Sequence, residues 1–252
     1  MKKTLFLLCL SLSITINAQV RVIAHRGYWD TKRSAQNSIT SIIKADEIGA
    51  YGSEFDVWRT KEGKLIVNHD RRHNGLDIYS DEYKDVIKIK LDNGERIPNF
   101  KSFLKETKKH TQIRLICELK SLPSKEEEKL AVKEIINAVK KYELLDRTDF
   151  IAFSLNACLA FRQELPTGNV YYLNGDLSPK EIYDLKLTGI DYSVHTLKKH
   201  PEWIDEAHHL GLKVNVWTVN KENDMRYFIK KGVDFITTDK PVVLQRLLQE
   251  CK

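Results

Sequence analysis

Three stretches carry residue types that could do chemistry together: Ile23-Ala24-His25-Arg26-Gly27, Glu54-Phe55-Asp56 and His69-Asp70. Each sits at the end of a short apolar run that reads as a β-strand. They supply two histidines, an arginine and closely spaced carboxylates. That is the equipment for acid–base cleavage of a phosphodiester held on an oxygen-ligated metal ion. Glu54 and Asp56 stand two apart on a strand, so both side chains project from one face. Two ionised carboxylates held side by side repel each other unless a cation sits between them. An edge strand with solvated acids would share the pattern, but apolar Phe55 and Val57, with Trp58 beyond, weaken that reading. In Leu115-Ile116-Cys117-Glu118-Leu119-Lys120 a carboxylate and an ammonium share one face of a buried-looking strand. Neither charge can be buried alone without cost, and a plain inter-strand salt bridge is the competing explanation. A carboxylate-rich, cysteine-free set suits Ca²⁺ or Mg²⁺ rather than structural zinc.

His25 and His69 end two different strands, and near neutral pH one imidazole can accept a proton while the other donates one to a leaving oxygen. Arg26 could pair with phosphate oxygens through its forked donors, and Gly27 lets the backbone come close. The other six histidines (His73, His110, His195, His200, His208 and His209) lie in polar contexts and read as surface residues, with His195 the one to watch.

The elements that must position these groups alternate along the chain. Strands are expected at Arg21–His25, Gly52–Val57, Leu65–Asn68, Ile113–Leu119, Phe150–Ser154, Asn169–Leu173, Ile190–Val194, Lys213–Val219 and Phe235–Thr237. Helices are expected over Asn37–Ile48, after Pro98, and over Glu126–Tyr142, where Leu130, Ile135, Ala138 and Val139 are read as one face. A Lys61-Glu62-Gly63-Lys64 turn separates the second and third strands. Repeated β–α alternation argues for a parallel sheet. His25, Glu54, Asp56, Asn68, His69, Glu118, Lys120, Ser154 and Trp217 all fall within or just after strands. Polar groups drawn from this many strand ends favour a single-domain (β/α)8 barrel over an open doubly wound sheet. Nine strands are one more than such a barrel needs, and the segment at Asn169 or Ile190 is expected to be the excursion.

Residues 1–18 read as a cleaved signal peptide: Lys2-Lys3, an apolar stretch from Leu5 to Ile16 too short to span a bilayer, and Asn17-Ala18 before Gln19. Residues 19–252 then form the domain, exported to a periplasmic or extracellular location without a stable membrane anchor. The net charge of +6 falls by two to +4 without Lys2 and Lys3. This charge is spread rather than blocked, so nucleic-acid binding has no footprint, though it could steer an anionic small substrate. Cys117, Cys158 and Cys251 cannot build a disulfide framework, and the first two read as buried hydrophobes.

The chain resembles the glycerophosphodiester phosphodiesterases. The resemblance runs through His25-Arg26-Gly27, Glu54-x-Asp56, Gly63, His69-Asp70, Gly94-Glu95-Arg96-Ile97-Pro98, Glu118-x-Lys120, Phe153-Ser154, Trp217-Thr218-Val219-Asn220 and Gly232 to Pro241. It implies a (β/α)8 barrel that hydrolyses a small glycerophosphodiester to glycerol 3-phosphate and an alcohol. It further implies His25 and His69 as the acid–base pair, Glu54, Asp56 and Glu118 as ligands of Ca²⁺ or Mg²⁺, Arg26 and Lys120 as phosphate contacts, and Trp217 as an aromatic wall. His25 is assigned as base and His69 as acid. One departure stands out: the family's Pro-Glu-Asn is Ala35-Gln36-Asn37 here. The aromatic and basic segment from Tyr28 to Arg33 either lines the pocket or packs over the first helix. Two alternatives are a phospholipase D-like enzyme acting on intact lipids and a phosphodiester-binding protein that has lost catalysis.

Overall fold

The computed structural model describes residues 19–250; the expected signal segment and Cys251 lie outside the described residues. In chain order the strands are β1 (Arg21–Ala24), β2 (Gly52–Arg59), β3 (Leu65–Val67), β4 (Arg72–His73), β5 (Leu76–Asp77), β6 (Arg114–Leu119), β7 (Thr148–Ala152), β8 (Val170–Tyr172), β9 (Gly189–Ser193), β10 (Lys213–Trp217) and β11 (Phe235–Thr238). The helices are α1 (Ile39–Glu47), α2 (Tyr83–Val86), α3 (Phe100–His110), α4 (Lys125–Lys141) and α5 (Leu155–Glu164). They continue with α6 (Pro179–Asp184), α7 (Val194–Lys199), α8 (Glu202–His209), α9 (Glu222–Lys231) and α10 (Pro241–Glu250).

Eight parallel strands close on themselves in the order β1-β2-β6-β7-β8-β9-β10-β11, and β11 pairs back onto β1. Helices cover the outside. The inside is filled by Ile23, Ile116, Ile151, Tyr171, Leu173 and Phe235, so the barrel is a packed core rather than a pore.

The surplus strand is not where the sequence reading put it. The segments at Val170 and Gly189 are both barrel strands, and the excursion is β3, antiparallel to β2. The reason is connection length. Only a tight turn with Gly63 at φ +74° separates β2 from β3, and a parallel return needs a crossover of about a dozen residues or more.

Two other details depart from expectation. Helix α1 begins at Ile39 with Ser38 as its cap, which leaves Asn37 outside the helix at φ +58°. On α4, Leu130 is 50% exposed while Ala131, Ile135, Ala138 and Val139 are buried. Leu130 stands five residues before Ile135, which places it about 140° round the helix. Cys117 and Cys158 are buried and free, as small hydrophobes.

Candidate active site

The site is assembled at the C-terminal mouth of the barrel. His25 continues the ladder after β1, its N–H donating to Thr238 O at 3.0 Å. The chain then turns through two left-handed residues, Arg26 at φ +55° and Gly27 at φ +80°. A Cβ on Gly27 would lie 2.2 Å from Ser41 Oγ, so the close approach that glycine permits is to helix α1 rather than to a ligand. The turn aims the Arg26 backbone N–H at Glu54 Oε2, 2.8 Å away.

The His25 ring is held from behind. A carboxylate can only accept, so Nδ1 carries the proton that bonds Asp239 Oδ1 at 2.8 Å, and Nε2 faces the pocket 4.0 Å from Glu54 Oε2. Asp239 also accepts from Trp29 Nε1 at 3.0 Å and from Asn220 Nδ2 at 2.6 Å. Burial works against its charge, but His25, Asn220 and Trp29 outweigh burial and bring its carboxyl down to about 2.

Glu54, Asp56 and Glu118 are buried, and one carboxylate oxygen from each lies within 4.8 Å of the others. Asp56 is the register partner of Glu118 across β2 and β6. Asn37 clamps Asp56 twice, donating from Nδ2 to Oδ2 at 2.8 Å and accepting the Asp56 N–H at 3.1 Å. Lys120 Nζ lies 3.2 Å from Asp56 Oδ1. It also lies 2.6 Å from Glu118 Oε1, an ion pair whose alignment falls short of a hydrogen bond. Burial opposes ionisation of Asp56, but Lys120, His69, Asn37 and Arg26 together hold it below the usual carboxylate range.

The other two acids are less well served. Burial, with Asp56 and Glu118 beside it, pushes Glu54 well above its ordinary value, and its Oε1 is buried without a hydrogen-bond partner. Burial and Asp56 push Glu118 up to about 7. Crowded oxygen donors, one of them unpaired, and only two cationic side chains nearby make a set that fits a hard divalent cation.

The β2–β3 hairpin delivers His69. Its return strand sets Asn68 N–H on Asp56 O at 3.1 Å, and Trp58 Nε1 holds His69 O at 3.1 Å. Nδ1 of His69 bonds Asp70 Oδ1 at 2.7 Å. Burial lowers the ring's pKa, although Asp56 pulls the other way.

One cavity of about 100 Å³ is lined by His25, Arg26, Glu54, His69, Glu118, Lys120 and Trp217. Asp56 stands behind Lys120 and Arg26, so the eight residues singled out in the sequence are brought together. Trp217 ends β10, meets Phe153 edge-on at 5.5 Å, and donates Nε1 to Asp191 O at 2.8 Å. Gln36, the residue that departs from the family motif, accepts from Arg26 Nη1 at 2.6 Å. The Tyr28–Arg33 segment packs beside the first helix, with Tyr28 N–H on Ser41 O at 2.9 Å, and contributes no residue to the lining of this cavity. Tyr28 packs on the core beside α1, and Trp29 reaches Asp239.

Sequence reasoning passed over Asp239, Asn37, Asp191 and Thr237 as site groups. Asp239 lies 214 residues from His25, and no local pattern joins them. Asp191, a carboxylate in the apolar run Gly189-Ile190-Asp191-Tyr192, repeated the signal that marked Glu118. Ser154 is not a site residue; it caps α5 and bonds Glu128. His195, His110, His208 and His209 are exposed, and His73 and His200 are half-buried away from the cavity.

The glycerophosphoryl diester phosphodiesterase family model matches residues 25–243. A Caldanaerobacter subterraneus glycerophosphodiester phosphodiesterase is 34% identical, over 91% of this chain and 98% of its own. The crystal structure of a glycerophosphodiester phosphodiesterase from Parabacteroides distasonis superposes with a TM-score of 0.91 at 45% identity, covering 93% of this chain and 98% of that one. An Oleispira antarctica phosphodiesterase in complex with the product sn-glycerol-3-phosphate shares the fold, with a TM-score of 0.78 at 20% identity over 92% and 97% of the two chains.

Proposed function

The chain belongs to the glycerophosphoryl diester phosphodiesterase family, and on that premise we propose that it hydrolyses small glycerophosphodiesters to glycerol 3-phosphate and an alcohol by two-histidine catalysis that depends on a divalent cation. The observation that carries this reading is the convergence of three buried carboxylates, two cationic side chains and two carboxylate-backed histidines on one cavity. The complex of the Oleispira antarctica protein with sn-glycerol-3-phosphate is consistent with the product.

Glu54, Asp56 and Glu118 would hold Ca²⁺ or Mg²⁺, which supplies Lewis-acid stabilisation of charge on a phosphate oxygen. Arg26 and Lys120 hold the remaining phosphate oxygens. Asp239 fixes the tautomer of His25, leaving Nε2 free to take the proton of the nucleophile, which is either water, giving glycerol 3-phosphate directly, or the neighbouring glycerol hydroxyl, giving a cyclic phosphate that water then opens. Asp239 then faces the positive charge that forms on the ring. His69, backed by Asp70, gives its proton to the leaving alcohol oxygen.

The large hydrophobics exposed among the described residues are Leu130, Leu159, Tyr183 and Val242. All four ride on outer helices, which favours a water-soluble diester over an intact lipid. No helix of the described residues is long and apolar enough to cross a membrane. Export of the chain after removal of residues 1–18 is part of the same proposal, checked by the N-terminal sequence of protein recovered outside the cytoplasm.

The test is glycerol 3-phosphate release from a panel of glycerophosphodiesters with Ca²⁺, Mg²⁺ or chelator, beside His25→Ala. Cation-dependent release lost in the variant is expected. Absence of release from every diester by folded protein would overturn the reading.

A further inference from the structure

The interior of the barrel is not uniform. Most of the strands below the cavity contribute apolar side chains, but β9 and β10 carry Asp191 and Asn215 instead, and β11 adds Thr237 above its apolar Phe235. Asp191 on β9 is the register partner of Asn215 on β10. Asn215 Nδ2 lies 2.8 Å from both Asp191 Oδ1 and Thr237 Oγ1, and Thr237 Oγ1 lies 3.2 Å from Asn215 Oδ1. All three residues are buried. Burying them brings no advantage over the aliphatic filling used on neighbouring strands, so stability alone does not account for their presence.

Position supplies a reason. Asp191 and Thr237 line the same cavity as Glu54, Glu118, Arg26 and Lys120, with Asn215 behind them. Strand β9 is four strands round the closed barrel from β2 in either direction. Asp191 therefore faces the β2 carboxylates across the cavity, and Thr237 stands to the side, two strands from β2. A phosphate gripped on the β2 side sends one ester arm towards Asp191 and Thr237, while Trp217, Phe153 and Leu173 offer carbon surface beside them. An arm that fits must present hydroxyls on one edge and carbon on the other.

We infer that Asp191 and Thr237 form a hydroxyl-reading subsite, with Asn215 as its positioning residue, which selects a small polyol arm over a hydroxyl-free alkyl arm. The position of the phosphate rests on the phosphodiesterase reading above. The protonation of Asp191 suits the role. Burial pushes its carboxyl up to about 7 against the opposing bond from Asn215, so near neutrality it can both donate to and accept from a hydroxyl. Thr237 Oγ1, whose proton goes to Asn215 Oδ1, adds an acceptor.

The test compares two ligands that share a phosphate and a three-carbon chain: sn-glycerol 3-phosphate and n-propyl phosphate. Their affinities are measured by calorimetry, with and without Mg²⁺. The wild-type protein is expected to prefer glycerol 3-phosphate by about 10-fold or more, the combined effect of two hydroxyl hydrogen bonds. Asp191→Leu should bring the two ligands to within about twofold of each other, the scale of a single weak contact. Thr237→Val, close to isosteric, should narrow the preference and decides the matter if Asp191→Leu does not fold. Equal affinities in the wild type, or a preference that both variants keep in full, would overturn the subsite. Glycerophosphodiester hydrolysis without that preference would defeat the subsite and leave the phosphodiesterase reading intact. Selective binding without hydrolysis of any diester would do the reverse.

Discussion

Strand β6 carries a charged residue at each end, and the two ends are treated differently. At its start Arg114 donates Nε and Nη2 to Asp149 at 2.9 and 2.7 Å, and Asn169 Nδ2 adds a third bond to that carboxylate at 2.8 Å. This bidentate pair is closed and holds neighbouring barrel strands in register. At its far end Glu118 shares a crowded pocket with Asp56 and Glu54, and Glu54 Oε1 has no hydrogen-bond partner. The same strand thus supports a satisfied pair at the bottom of the barrel and an unsatisfied cluster at the mouth. Satisfied buried charge is architecture, whereas unsatisfied buried charge costs stability and is kept for what will bind there. This division follows the habit of barrel enzymes, with stability at the N-terminal face and chemistry at the C-terminal face.

Substitutions can break the contrast from either side. The largest effect belongs to the mouth: His25→Ala should lower kcat by about 10²–10⁴-fold with little change in Tm. The leaving group sharpens the assignment. His69→Ala should be comparably slow on diesters of alkyl alcohols but much less impaired on a p-nitrophenyl diester, whose leaving group needs no proton, whereas His25→Ala should be slow on both. An equal loss on the two substrates for His69→Ala would refute its role as acid.

At the bottom the effect should fall on stability instead. Arg114→Ala strands the buried Asp149 carboxylate and should cost about 3–5 kcal/mol in denaturant unfolding, leaving turnover per folded molecule close to wild type. Lost turnover at unchanged stability would erase the distinction between the two ends.

The smallest effect is the response of stability to cations. Glu54 and Glu118 are both raised from an ordinary 4.5, Glu118 to about 7. The contribution of Glu118 to folding is therefore fully present below about pH 4.5 and is lost as pH rises through about 7 in cation-free protein, and that of Glu54 is lost in the same direction. A bound divalent ion removes that penalty. The gain in Tm on adding Mg²⁺ or Ca²⁺ at one fixed concentration, a hundredfold above the Kd at pH 8, should be about 5–10 °C near pH 8 and shrink towards pH 5 as the ion binds more weakly. Glu118→Gln should raise the cation-free Tm at pH 8 and abolish the response. A gain independent of pH would count against titration of these two acids.

Much of this was legible in the sequence because strands announce themselves as short apolar runs, and a carboxylate inside such a run, as at Glu54, Asp56 and Glu118, is conspicuous. The surplus strand was misplaced because apolar runs were counted without weighing connection length; the short turn at Gly63 already excluded a parallel return. Asn37 looked like the first residue of a helix, and only its positive φ shows why it clamps Asp56 instead. The pairing of His25 with Asp239 comes from closure of the barrel, and that of Asp191 with Asn215 from the register of β9 on β10; both bring together residues that no local pattern connects. Periodicity identifies which face a side chain takes, but it does not identify the residue across from it.

The central claim is that the unsatisfied cluster at the mouth exists to hold a cation needed for phosphodiester hydrolysis. The most direct measurement follows turnover of a glycerophosphodiester and bound Ca²⁺ or Mg²⁺ in one titration of chelator-treated protein, beside Glu54→Gln. Turnover rising in step with a single ion per chain, with both lost in Glu54→Gln, is the predicted result. Full turnover in chelator, or an ion that binds Glu54→Gln as tightly as the wild type, would contradict it.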